Sequence, residues 1–170
     1  MAVIIGIVSP KGGSGKTTTA IHLARSIQET GDSVVIIDTD RQGSALAWST
    51  KRDGDSLVKV IDGRKNLKSI VGHWKHMCKV LVIDGAAKIE ERTGKIIAES
   101  DVCLIPVQPT PLDSWGAEQV VGAIKQSDTP AAFLITQQKP RTNLASEVEE
   151  GLGEAYNLPV LNARLSHRVA

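Results

Sequence analysis

The sequence predicts an α/β fold, a mostly parallel sheet flanked by helices on both faces, in a single domain spanning residues 1–170. Three observations predict it. Apolar runs rich in β-branched residues alternate along the chain with stretches whose apolar residues recur at helical spacing. The first of these runs opens into a glycine-rich turn and then a helix. Two later runs each end on aspartate, at the carboxyl end of a strand, where open α/β sheets bind ligands. With 170 residues, 41% of them hydrophobic, the chain can bury one sizeable core.

Taken in order, Ala2 to Val8 is charge-free and β-branched, a buried parallel strand. The turn Ser9-Pro10-Lys11-Gly12-Gly13-Ser14-Gly15-Lys16-Thr17-Thr18-Thr19 follows. Its glycines permit backbone torsions that other residues avoid and let main-chain N–H groups face a polyphosphate. The helix after it contributes a partial charge of about +0.5 at its N-terminus. Lys16 would lie along the β- and γ-phosphate oxygens, and the Thr17 hydroxyl would ligate Mg²⁺. The stretch reads as a nucleotide phosphate cradle. Ile21, Leu23, Ala24 and Ile27 keep helical spacing until Thr30-Gly31.

Val34-Val35-Ile36-Ile37 is the second strand and ends in Asp38-Thr39-Asp40-Arg41-Gln42-Gly43-Ser44, with Ser44 as a helix N-cap. Between Lys51 and Lys79, eight lysines and arginines face three aspartates. There Asp53-Gly54-Asp55 reads as a turn, Leu57 to Ile61 as a short strand, and Asn66 to Met77 as a helix with Leu67, Ile70, Val71 and Trp74 inward. The basic side chains either touch DNA phosphates, which makes binding steeply salt-dependent, or form a solvated helix face. Val80-Leu81-Val82-Ile83 runs into Asp84, a Walker B strand whose carboxylate would hold a water of the Mg²⁺ shell. Gly85-Ala86-Ala87 is expected to leave backbone N–H groups accessible, and Lys88 to Arg92 to form a loop that senses the γ-phosphate.

Val102 to Val107 is the next strand, left by the proline-stiffened loop Pro106-Val107-Gln108-Pro109-Thr110-Pro111-Leu112-Asp113. The helix from Leu112 to Gln126 carries Ala117, Val120, Val121 and Ile124 on one stripe. Ala131 to Thr136 is a further strand, Asn143 starts an acidic helix that ends near Gly151 or Gly153, and Pro159-Val160-Leu161 is a short edge strand.

Composition excludes several classes. A net charge of +1 gives no global attraction to DNA or membrane, so such binding needs a local patch. Cys78 and Cys103 form no C-x-x-C and have no histidine at ligand spacing, and read as reduced thiols of a cytosolic protein. The N-terminus has no charged n-region or cleavage site, and no apolar run approaches 18 residues, which predicts neither signal peptide nor membrane span.

The general phosphate-loop pattern asks for glycine at position 10, where this chain has Pro10 followed by a second lysine, Lys11. The form K-G-G-x-G-K-[ST] resembles the deviant Walker A motif of the ParA/MinD family of P-loop ATPases, which partition plasmids and chromosomes or place other cargo in bacteria. Asp38 to Ser44 resembles that family's D-x-D-P-Q-G-[NS] segment, with Arg41 in place of proline, and Trp48 is similar to the smaller partition ATPases. Pro106 to Asp113 resembles a P-x-x-P-[ST]-x-x-D segment at the subunit interface, although a plain connector accounts for it nearly as well.

The resemblance implies an ATP site formed by Lys11, Gly12, Gly13, Ser14, Gly15, Lys16, Thr17 and Thr18, with Gln137 against the adenine. It implies Mg²⁺ near Thr17, Asp38 and Asp84, and catalysis by Lys11, Lys16 and Asp40. Lys11 would reach the partner's phosphates across an ATP-sandwich homodimer, like an arginine finger, a device worth about 10³ to 10⁵ in rate in GTPases. Asp40 would orient the attacking water. It further implies slow, partner-stimulated ATP hydrolysis to ADP, nonspecific DNA and a small centromere-binding ParB-like protein as partners, no membrane anchor, and a cytoplasmic, nucleoid-associated location.

Relatives continue beyond a segment like Leu161 to Ala170 with one or two more helices, so either the chain is shortened or those contacts are lost. The cysteines speak against the nitrogenase iron protein, which needs them for a cluster. Two other readings stand beside the partition ATPase. One is a metabolic P-loop ligase of the dethiobiotin-synthetase type, against which Lys11 and the Asp38-Thr39-Asp40-Arg41-Gln42 segment speak. The other is a nucleotide-binding scaffold with little turnover.

Overall fold

The computed structural model describes residues 1–51, 58–86, 90–110, 116–138 and 144–166. Within them strands and helices alternate as β1 (Val3–Ile7), α1 (Lys16–Glu29), β2 (Val34–Asp38), α2 (Ser44–Thr50), β3 (Lys59–Asp62), α3 (Leu67–Trp74), β4 (Val80–Asp84), α4 (Glu90–Glu99), β5 (Val102–Val107), α5 (Glu118–Ser127), β6 (Ala131–Gln138), α6 (Leu144–Tyr156) and β7 (Val160–Ser166). The strands form one seven-stranded sheet in the order β3-β2-β4-β1-β5-β6-β7, and each neighbouring pair is parallel.

The apolar runs are continuous because both faces of the central strands are covered. Successive side chains point to opposite faces, and the two cores divide them accordingly. Val35 and Ile37 of β2 with Leu81 and Ile83 of β4 pack with Val71, Ile97, Val121 and Leu152 from α3, α4, α5 and α6. Val34, Ile36 and Val82 pack on the other face with Ala20 and Ala24 of α1 and Ala45 of α2. The predicted stripe of α5 is borne out: Ala117, Val120, Val121 and Ile124 are all buried. The chain leaves β1 toward β2 on one side and later builds β5 on the other. The strand order therefore reverses at β1, and its carboxyl end opens at the switch point where such sheets bind ligands.

Several local expectations change. Ser44 is the first residue of α2 rather than its cap, and Gly43 holds the cap position. The oxygen that serves the helix comes instead from Asp38, whose Oδ2 accepts the Leu46 N–H at 3.0 Å. The segment expected as a loop up to Arg92 is helical from Glu90, because Ile96 and Ile97 bury against the sheet and set the period of α4. The last strand runs seven residues, beyond the expected three, since it pairs along β6 as far as Gln138. The acidic helix passes through Gly151 and Gly153 and ends at Tyr156. The expected Asp53-Gly54-Asp55 turn, Leu57, Lys88, Pro111 to Asp113 and Asn143 lie outside the described residues. Cys103 is buried and Cys78 half-buried, both as free thiols, and burial pushes the Cys103 thiol up to about 11. No helix among the described residues is long and apolar enough to cross a membrane.

Candidate functional site

Strands β1, β4 and β2 end at one level. Ile7 stands beside Asp84, and Asp84 beside Asp38, in the registers of the two strand pairs. The chain stays tight as it leaves β4: the Gly85 N–H donates to the Ile7 carbonyl at 3.0 Å, and a Cβ on Gly85 would lie 2.4 Å from that oxygen. Only glycine fits there. This corrects the expectation of an accessible N–H at Gly85, because the sheet ladder uses it.

After β1 the glycine-rich turn curls over these strand ends. Gly13 and Gly15 have φ of 77° and 91°, a region that side chains with a Cβ avoid. Three side chains from the β5 and β6 ends tie down the turn's carbonyls. The amides of Gln108 and Gln137 both donate to the Gly13 carbonyl, at 2.8 and 2.7 Å. The Thr136 hydroxyl stands 2.7 Å from the Ser14 carbonyl and 3.2 Å from that of Val107. In a planar trans peptide the N–H points away from the C=O. Anchoring these two carbonyls on the sheet side therefore aims the Ser14 and Gly15 N–H groups the other way, into the concavity. Lys16 opens α1 almost buried, at 6% exposure, and its Nζ donates to the Lys11 carbonyl at 2.8 Å.

The two strand-ending aspartates are both fully buried, but their surroundings differ. Asp38 accepts the Asp40 N–H on one oxygen and the Leu46 N–H on the other, each at 3.0 Å. Asp84 accepts no hydrogen bond of regular geometry on either oxygen. Between them Thr39 is latched to the Asp84 carbonyl by its N–H at 3.0 Å and its hydroxyl at 2.7 Å. Arg92 of α4 donates to the Thr39 carbonyl at 2.9 Å. Asp40, half-buried, accepts the Gln42 N–H at 3.0 Å.

Burial dominates the electrostatics. It pushes the Asp84 carboxyl up to about 7; the Thr17 hydroxyl and Lys16 pull it back, while Asp38 and Asp40 push it further. Burial also raises Asp38, opposed by the backbone N–H groups of Leu46, Asp40 and Ala45. It lowers Lys16, opposed by Asp84 and Asp40. Lys16, Thr17, Asp38, Asp40 and Asp84 thus belong to one electrostatic unit.

This donor set fits a nucleotide with magnesium. Among the described residues, the buried side-chain oxygens that lack a hydrogen-bond partner gather around the turn: Ser14 Oγ, Thr19 Oγ1 and both oxygens of Asp84. A buried unpaired polar atom costs about 1–3 kcal/mol, so a concentration of them marks a place made for a polar guest. Magnesium keeps several waters and takes one or two protein groups plus phosphate oxygens, which Thr17 and Asp84 could supply. Asp38 has both oxygens engaged by backbone N–H groups, a structural task beside the place in a metal shell expected of it.

Of the residues expected at the site, the turn residues Lys11 to Thr18, with Asp38, Asp40 and Asp84, come together. Gln137 reaches the turn itself, on the Gly13 carbonyl. Three residues, Thr136, Gln108 and Thr39, escaped the sequence reading of the site, and Arg92, expected in a γ-phosphate-sensing loop, stands on a helix instead. Thr136 carried a signal, being the polar end of an apolar run. Gln108 sat in a loop noted for its prolines, and Thr39 between two more conspicuous aspartates.

Residues 5–170 match the family described as CobQ/CobB/MinD/ParA nucleotide binding domain. The chain is 27% identical to Maintenance of carboxysome distribution protein A of Halothiobacillus neapolitanus, over 98% of this chain and 81% of that protein. It is 49% identical to the chromosome-partitioning ATPase Soj of Thermus thermophilus, over 87% of this chain and 74% of that protein. Two solved structures share the fold at low identity. Cobyrinic acid a,c-diamide synthase from Mycobacterium smegmatis, with bound ADP and magnesium, superposes with a TM-score of 0.84 at 18% identity, over 99% of this chain and 87% of that one. The pNOB8 ParA bound to nonspecific DNA superposes with a TM-score of 0.77 at 17% identity, over 99% and 86%.

Proposed function

We propose, from the premise that the chain belongs to the CobQ/CobB/MinD/ParA nucleotide binding domain family, that it is a magnesium-dependent ATPase of the partition type, in which ATP drives a monomer into a sandwich dimer. The observation that carries this reading is the Asp84 carboxylate, buried without a hydrogen-bond partner and coupled to Lys16 and Thr17 of the turn. Such a group gains from a cation and its waters what the protein alone withholds. Magnesium, held on the Thr17 and Asp84 side, would neutralise charge developing on the transferred phosphoryl group.

The chain's own residues do the rest. The Ser14 and Gly15 N–H groups grip phosphate oxygens, Lys16 exchanges the Lys11 carbonyl for a phosphate, and Asp40 orients the attacking water. Lys11 serves the nucleotide of the facing copy. The closed dimer binds nonspecific DNA, as pNOB8 ParA does, and a small ParB-like partner speeds hydrolysis to reopen it. ATP shifts the dimer equilibrium only by its differential affinity for the two states, so hydrolysis acts as a timer. Plasmid, chromosome or another cellular body are all cargoes compatible with this scheme.

The test is sedimentation with Mg-ATP alongside phosphate release. The wild-type chain is expected to dimerise with ATP and to hydrolyse it slowly, faster with DNA and partner. Lys11→Ala is expected to bind ATP and stay monomeric; a variant that dimerises as well as the wild type removes the trans-lysine. Turnover that requires an added small carboxylic acid would favour the ligase, and binding without turnover the scaffold.

A further inference from the structure

A cavity of about 600 Å³ lies away from the phosphate loop, between the turn after β2, the β3–α3 turn and α4. Its cations come from four separate places: Arg41 after β2, Arg64 before α3, Lys68 on α3, and Arg92 with Lys95 on α4. Glu91 and Glu99 are the acidic residues of the lining, so five positive charges face two negative ones. Two of the five have acidic partners. Arg64 forks onto Asp62 at 2.8 and 2.5 Å, and Lys95 reaches Glu91 at 2.6 Å. Arg92 is half-buried and uses Nη1 on the Thr39 carbonyl. Leu67, backed by the buried Ile96, supplies an apolar wall.

Gathering like charges from four elements around one hollow costs repulsion that an anion relieves. The volume falls within the range of small-molecule sites, about 300–1,000 Å³. Guanidinium forks favour oxyanions, and a phosphate group concentrates nearly two charges and three acceptor oxygens at one point. Arg41, where the sequence departs from the family's proline, supplies one of these cations.

We propose that this cavity binds a small phosphorylated organic ligand, its phosphate on Arg41, Lys68, Arg92 and Lys95 and its apolar part on Leu67, and that Arg92 relays occupancy to the β2 turn. The relay is short: the Arg92 guanidinium holds the carbonyl of Thr39, and Thr39 stands between Asp38 and Asp40 and is bonded to Asp84. Binding here is independent of the proposed ATPase; only a consequence for turnover rests on it.

The test uses the full chain carrying Lys16→Ala, which weakens phosphate binding at the loop, titrated calorimetrically with inorganic pyrophosphate. Saturable binding is expected, weakened about tenfold or more when Lys68→Gln and Lys95→Gln are added, since each removes a charge-assisted contact. Both lysines are exposed, so the added substitutions are expected to leave the melting temperature unchanged. In the same titration followed by NMR, the Thr39 and Asp40 amide resonances are expected to shift. Absent binding, or binding of full strength without the two lysines, overturns the site; citrate binding as tightly as pyrophosphate overturns its phosphate preference; unmoved Thr39 and Asp40 resonances overturn the relay. Pyrophosphate bound by the Lys16→Ala chain while the wild type hydrolyses no ATP would remove the proposed function and support this site.

Discussion

The ends of β2 and β4 lie side by side, each closing an apolar run with an aspartate at the same level of the sheet, yet they do opposite things. Asp38 is a finished structural carboxylate: both oxygens accept backbone N–H groups, and one serves α2. Asp84 is unfinished, with neither oxygen in a hydrogen bond of regular geometry and its carboxyl raised to about 7. Two residues of identical chemistry, burial and register are thus separated by whether the following turn curls back to satisfy them. The turn after β2 does so. The chain after β4 is pulled straight down onto β1 by Gly85.

Substitutions can break this contrast, the largest expected effect coming from Asp84. Asp84→Asn is expected to lower ATP turnover about 1,000-fold, a loss typical of removing one preorganised group from a charged transition state, as measured by phosphate release. It should cost the fold little at neutral pH, because a carboxyl raised to about 7 is already largely protonated there and asparagine keeps its shape.

The second expectation concerns pH. Between the ordinary carboxyl value of 3.8 and about 7, native Asp84 holds a proton that the unfolded chain has released. The native state binds more protons in that window, so stability falls as pH rises through it. The wild type should lose up to about 4 kcal/mol more than Asp84→Asn across this window in urea titrations, at about 1.4 kcal/mol per pH unit. Equal slopes would mean that the native state does not hold a proton on Asp84 in this window.

The smallest effect belongs to Asp38. Asp38→Ala should cost about 1–2 kcal/mol of unfolding free energy by leaving two backbone N–H groups without acceptors, read from the urea midpoint. If Asp38→Ala proves neutral while Asp84→Asn unfolds the chain, the two roles are reversed.

The strands were legible because their runs are apolar on both faces, and the α1 and α5 stripes because Ile21, Leu23, Ala24 and Ile27, and then Val120, Val121 and Ile124, repeat at helical spacing. The phosphate loop was legible because glycine and lysine at those spacings serve few other ends. The difference between Asp38 and Asp84 was not, since it depends on a bond to Leu46, eight residues on, which forms only once the turn has closed. Gln137 shows the same limit. Expected against an adenine, it sits at a register shift near the end of β6 with φ of 54°, and its amide reaches the Gly13 carbonyl. No pattern of letters announces that irregularity. Arg92 was misread for a simpler reason: the helical period of α4 is carried by Ile96 and Ile97 beyond it.

Thr39 grips the Asp84 carbonyl with two bonds, so the tips of β2 and β4 form a single mechanical piece. A displacement imposed on one is delivered to the other without slack. Retuning the pace of this site is accordingly a matter of altering charge at those tips, since the joint between them is already locked.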